Sequence, residues 1–262
     1  MDNKSVSVDV KIPDSIDHAV ENLTGPITKN IGQTIGDLFY LVFGGIPYRA
    51  DMKRIQRSVK LKEFEAEVRS AAESIPTEHR KDPDLQIAGQ ALQQSLFCIE
   101  HESLRDMFTK LIAASMDSRK EKYLYPCFAQ IISQFSPLDA QNIKLFNAHN
   151  TLPIARIVIA NNDTTAYKNV KENIFLANPL ENDYNRQAIS IASLIRSGII
   201  DISYDEYLTE KNAYTPFYDC ELFKTIVALE TIRSDNTTVV IKPGIVHLTP
   251  LGTAFVKAVI SE

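Results

Sequence analysis

Cys98, His101 and Glu102 would share one side of a helix, because residues three and four apart are neighbours there. Thiolate, imidazole and carboxylate are all zinc ligands, so the trio is a candidate metal corner. A closed site needs a fourth ligand from elsewhere. His18, His79, His149 and His247 offer neither His-x-x-x-His spacing nor a cysteine at ligand distance in the chain. The reading is therefore no metal site. Two pairs of acids, Glu63 with Glu67 and Asp201 with Asp205, stand four apart. Glycosidase chemistry needs carboxylates set across a substrate, and such spacing on a solvated helix does not supply that. Phe43 to Ile46 reads Phe-Gly-Gly-Ile and lacks the Lys-Ser or Lys-Thr of a phosphate loop. No Gly-x-Ser-x-Gly nucleophile elbow occurs. No catalytic residue, metal or cofactor is assigned, and the chain reads as non-enzymatic.

Charge and composition narrow the partners. The 262 residues carry a formal net charge of -5, which disfavours general duplex-DNA binding without excluding a local basic patch. Hydrophobic residues at 44% and charged residues at 23% are those of a folded globular chain. Cys98, Cys127 and Cys220 are too few and too scattered for a disulfide framework. No early apolar run marks a signal peptide, so the expected location is cytoplasmic, with the inner-membrane surface as a conditional alternative.

The elements follow from periodicity and caps. Val6, Val8, Val10 and Ile12 alternate as in a short strand, and Asp14 can cap a helix to about Leu23. Ile31, Ile35, Leu38, Phe39 and Val42 form a helical stripe, with Gly32 and Gly36 making a face where another helix can approach. The continuous apolar run Leu38 to Ile46 is far short of the ~20 residues that span a bilayer. A cationic amphipathic helix follows, and its Arg49, Lys53, Arg54, Arg57 and Lys60 could meet an anionic surface.

A helical pattern runs from Pro83, at a first helical position, to Met116, and another from Tyr123 to Phe135. Ser136-Pro137 restarts the chain with a capped helix to about Asn147. Beyond it come a strand at Ile154 to Ala160, a polar, exposed loop with a short element over 161–182 and a helix from Asn185 to Arg196 stopped by Gly198. A short strand at 199–202, a tyrosine-rich insertion and a helix from Leu222 to Ile232 follow. Thr237 to Leu248 reads as a hairpin turning at Lys242-Pro243-Gly244, and Thr249-Pro250 opens a last helix.

The expected fold is mainly α with a small β component: an N-terminal helical bundle followed by a winged-helix-like domain with insertions. The segments are 1–24, an arm and short helix; 25–135, the helical domain; and 136–262, the winged domain, with insertions near 161–182 and 203–235. Its helix presents Arg186, Gln187 and Arg196, and its wing Lys242, as candidate nucleic-acid contacts. Tyr204, Tyr207, Tyr214 and Tyr218 are candidate protein contacts.

Several stretches resemble the bacterial DUF4393 proteins, also called the Abi-alpha family. These are Ile75-Pro76, Ile87 to Leu92, Leu104 to Met116, Pro126 to Phe128, Phe135 to Asp139, Leu194 to Ile199 and Val246 to Phe255. The resemblance implies a part in abortive infection, the sacrifice of a phage-infected cell, and brings no catalytic residues with it. The expected function is a non-enzymatic defence protein acting through self-association, contacts with a protein partner or conditional membrane association. A DNA-binding regulator and a scaffold without lipid or DNA affinity are the alternatives.

Overall fold

The computed structural model describes residues 31–44, 52–210 and 212–261, with the helical backbone alone over 52–58. The strand and helix expected before residue 24, and Arg49, lie outside the described residues.

The fold is mainly helical with a small antiparallel sheet, and its N-terminal helices lead into a mixed α/β region. Helix α1 (Ile31–Phe43) lays Ile35, Leu38 and Phe39 against α2 (Met52–Glu73), with Phe39 edge-on to Phe64 at 5.3 Å. The helical pattern from Pro83 to Met116, with one stripe from Leu85 to Ile99 and another from Leu104 to Ile112, forms two helices, α3 (Leu85–Ser95) and α4 (Glu102–Ala114). Pro83 precedes the first of them. Asp84 is its cap, its side chain accepting from the Gln86 and Ile87 amides. The third stripe contracts to α5 (Cys127–Ser133).

The Ser136-Pro137 restart forms as expected. Helix α6 (Pro137–Lys144) opens with a reciprocal capping box between Ser136 and Asp139. Strands β1 (Thr151–Asn161) and β2 (Tyr167–Ile174) then pair as a hairpin, so the short element expected within the polar loop is an edge strand. Helix α7 (Tyr184–Arg196) is capped by Asp183 and closed by Gly198 at φ +73°, a backbone conformation glycine adopts without cost. Strand β3 (Ile200–Ser203), the short α8 (Thr215–Asp219), α9 (Glu221–Arg233), β4 (Thr237–Leu248) and α10 (Pro250–Phe255) complete the order.

Residues 237–248 are one continuous strand, not a hairpin. β4 pairs with β1 from Thr237 opposite Asn161 to His247 opposite Thr151, in a sheet ordered β2-β1-β4-β3. The turn-like trio has other reasons to be there. β3 ends opposite Ile245, so Pro243 has a strand neighbour on the β1 side only, an edge position that tolerates proline. Gly244 lets Tyr204 close in: a Cβ there would sit 2.6 Å from the Tyr204 ring and 2.7 Å from the Ser203 carbonyl.

One core runs from Ile35 in α1 to Val259 near the last residues, with Leu152, Ile154 and Val246 joining it from one face of the sheet. The opposite face carries Ala155, Ile157 and Ile241 into a second, smaller core with Phe217, Phe223 and Ile226. Helix α9 therefore covers the far face of the sheet.

Candidate interaction surface

The chemistry-bearing groups are dispersed or already engaged. Cys98 falls in the link between α3 and α4, buried with its thiol toward the Ser133 carbonyl, and His101 is the residue before α4 begins. Cys98, His101 and Glu102 thus share no helical face. Burial pushes the Cys98 thiol up, which suits a packing role better than a nucleophile. No metal-capable group of three occurs among the described residues. Glu63 is held by Lys60 at 2.6 Å and Glu67 by Arg105 at 2.9 Å, so this acid pair frames no open cleft. Asp201 and Asp205 are exposed on and beyond β3. The cleft beside Arg105, about 390 Å³, is lined by Glu67, Arg105, Asp106 and Lys144, which pair among themselves.

The candidate DNA-reading residues separate. Gln187 is 1% exposed and ties α7 to α6: Asn142 donates to its carbonyl at 2.9 Å and to Ser190 at the same distance. It cannot reach a base edge. Arg186 is paired with Glu181 at 2.8 Å, whereas Arg196 stands exposed at the other end of α7, roughly 15 Å along the axis. Lys242 lies on the sheet, directly opposite Arg156.

The four tyrosines divide in two. Tyr214 is half-buried, donates to the Gly244 carbonyl at 2.8 Å and accepts from the Leu208 amide, and burial pushes its hydroxyl pKa up. Tyr204 exchanges hydrogen bonds with Asn173 and is likewise pushed up by burial. Both hold the insertion to the sheet. Tyr207 points outward, and Tyr218 is half exposed with its ring edge-on to Phe223 at 5.5 Å.

The remaining features of the N-terminal half sit apart from these. Gly32 is buried on α1. A Cβ at Gly36 would meet the tip of Arg69 at 4.0 Å, an ordinary contact. The backbone of Lys53, Arg54 and Arg57 is helical, and Lys60 is paired. No helix among the described residues is long and apolar enough to cross a membrane.

The sequence reading passed over the outer face of α9. Leu222, Phe223 and Ile226 turn to the sheet. On the other side Thr225, Ala228, Leu229 and Ile232 are exposed at spacings of three and four, one continuous stripe. Leu229 is 64% and Ile232 86% exposed, an unusual outlay of large aliphatic surface on one helix. Glu221 opens the helix in line with the stripe and Arg233 ends it. The signal was present in the sequence: apolar residues occupy both faces of this segment, where a surface helix carries one apolar stripe.

Comparison with known families gives one match. The family model for abortive infection alpha covers residues 56–259, and the chain belongs to that family. The curated proteins and the solved structures yield no match.

Proposed function

We propose that this chain serves abortive infection as a non-enzymatic protein that acts by self-association, with the outer face of α9 as the contact. Membership of the abortive infection alpha family supports the process. The observation that carries the mechanism is the bare stripe of Thr225, Ala228, Leu229 and Ile232 on a helix whose opposite face is already packed. A two-fold axis across this stripe would bring two α9 helices together antiparallel. Each Glu221, in line with the stripe, would then approach the C-terminal end of the partner helix, where Arg233 is exposed.

Light scattering over a concentration series tests this. Wild type should rise from monomer to dimer, and Leu229→Ser with Ile232→Ser should stay monomeric. Glu221→Arg and Arg233→Glu should each weaken the dimer and together restore it. A wild type that stays monomeric throughout the series overturns the proposal.

A triggered membrane contact by α1 is the second reading, supported by outward-facing Tyr40 and Leu41. Ile35, Leu38 and Phe39 would have to leave the core, at about 1.5–3 kcal/mol each. Release on that scale needs an infection-derived trigger. Vesicle flotation of resting protein should accordingly show no binding, and strong binding at rest would contradict a triggered release.

A further inference from the structure

The outer end of the sheet carries a second feature that the α9 contact does not use. Arg156 on β1 and Lys242 on β4 are direct cross-strand partners. Like charges placed so are unfavourable, and sheets ordinarily relieve them with an acid. Here no carboxylate lies within ion-pairing distance of either among the described residues, and the buried Nε of Arg156 has no hydrogen-bond partner. Glu172, on the neighbouring strand β2, accepts from the Asn169 side chain. The two cations are instead bracketed by rings. The Arg156 guanidinium lies 4.5 Å from the Tyr204 ring centre and 5.8 Å from that of Tyr167, and the Lys242 ammonium lies 5.8 Å from Tyr167.

Register places these groups on one face. Tyr167 pairs with Ala160 and Asn169 with Val158, and both share the Arg156 side of β1 by the two-residue alternation of a strand. Tyr167 is half exposed and Lys242 exposed, so the strip is open to solvent and forms no enclosed pocket. Unpaired cations beside an accessible aromatic ring, Tyr167, match the chemistry of a phosphodiester chain whose bases stack as they pass.

We propose that this strip, Arg156, Lys242, Tyr167 and Tyr204, binds single-stranded nucleic acid. Phosphates meet the two cations and a base stacks on Tyr167. Tyr204, fixed by Asn173, positions the guanidinium. The ligand is an extended strand, because an open sheet face provides no walls to close around a mononucleotide. The site is distinct from the α7 residues Arg186 and Arg196 and does not depend on them.

Fluorescence anisotropy of the full chain with labelled twelve-nucleotide oligo-dT and oligo-U, and with a duplex of mixed sequence, tests the assignment. Wild type should bind the single strands at low salt and the duplex at least tenfold more weakly. The DNA and RNA arms identify the preferred sugar, and binding of either supports the site. Arg156→Gln with Lys242→Gln should reduce affinity at least tenfold and flatten the salt dependence by about 1.4 in log–log slope. Tyr167→Leu should weaken binding at unchanged slope. Lys242 is exposed, so Lys242→Gln alone should fold normally and still lose several-fold, which guards against a misfolded Arg156 variant. Absence of single-strand binding by wild type at 50 mM salt, equal affinity for duplex, or unchanged binding in Lys242→Gln overturns the proposal.

Discussion

Phe255 packs edge-on against Phe128, with ring centres 5.1 Å apart and planes at 82°. The pair joins α10, late in the chain, to α5 in the N-terminal helical part, and Phe135 adds a second edge contact to Phe255 at 5.8 Å. Val256, Ala258 and Val259 continue into the same core. The final residues of the mixed region are thus structural members of the helical part. A truncation after Ser136 would strip that core, so loss of function in such a truncation would report unfolding.

Phe255→Ala should therefore destabilise the whole protein. Removing a fully buried phenylalanine costs about 3–5 kcal/mol. Urea denaturation followed by circular dichroism should show one transition moved to lower denaturant. A second transition, with the N-terminal helices still stable, would contradict the shared core.

Gly36 gives a prediction of the opposite sign. A Cβ there meets only the Arg69 tip at 4.0 Å, and a helical alanine is favoured over glycine by about 1 kcal/mol. Gly36→Ala should raise the melting temperature. A lowered one would show that the backbone approaches another surface closely at this position, as helix association through Gly32 and Gly36 requires.

Gly244→Ala should instead be destabilising, by about 1–3 kcal/mol, because the added methyl meets both the Tyr204 ring and the Ser203 backbone. Thermal melts beside Lys242→Ala, an exposed neighbour whose replacement should be near neutral, separate close approach from a general intolerance of this strand.

Asp117 supplies an acid-sensitive contact. Burial alone would push its carboxyl up, but the Arg119 side chain and backbone hydrogen bonds, with the charges of Arg119 and Lys120, outweigh burial and hold it below the ordinary carboxylate range. A depressed native pKa stabilises the fold above the unfolded value, about 3.9, and that contribution is lost as pH falls through the native value. Asp117→Asn should lower stability at neutral pH and reduce the slope of stability against pH below about 4. An unchanged slope in that variant would show that other carboxylates set the acid limb.

Local rules carried the sequence reading where local physics decides. Ser136-Pro137-Asp139 and Thr249-Pro250 form the caps their residue types favour, and Gly198 stops α7 as its type does. Failures came where a neighbour far along the chain sets the outcome. Lys242-Pro243-Gly244 has turn composition, yet pairing with β1 and the approach of Tyr204 keep it extended. Tyr167 to Ile174 is polar, as an edge strand can be, so hydropathy leaves the short element in this loop without a type or bounds. Arg156 was hidden for the same reason: its neighbour Lys242 is identified only by the register of the sheet. The two apolar faces of α9 were legible in its residues, but which face is bare depends on the sheet beneath it.

The account rests most directly on the bare face of α9, and phage challenge tests it. Cells expressing wild type and cells expressing Leu229→Ser/Ile232→Ser at equal levels would be infected, and plaque yield and host survival counted. Both side chains are exposed, so the variant should keep its fold, confirmed by an unchanged melting temperature. Self-association through α9 predicts protection with early host death in wild type and loss of both in the variant. Equal protection by a folded, monomeric variant would contradict it.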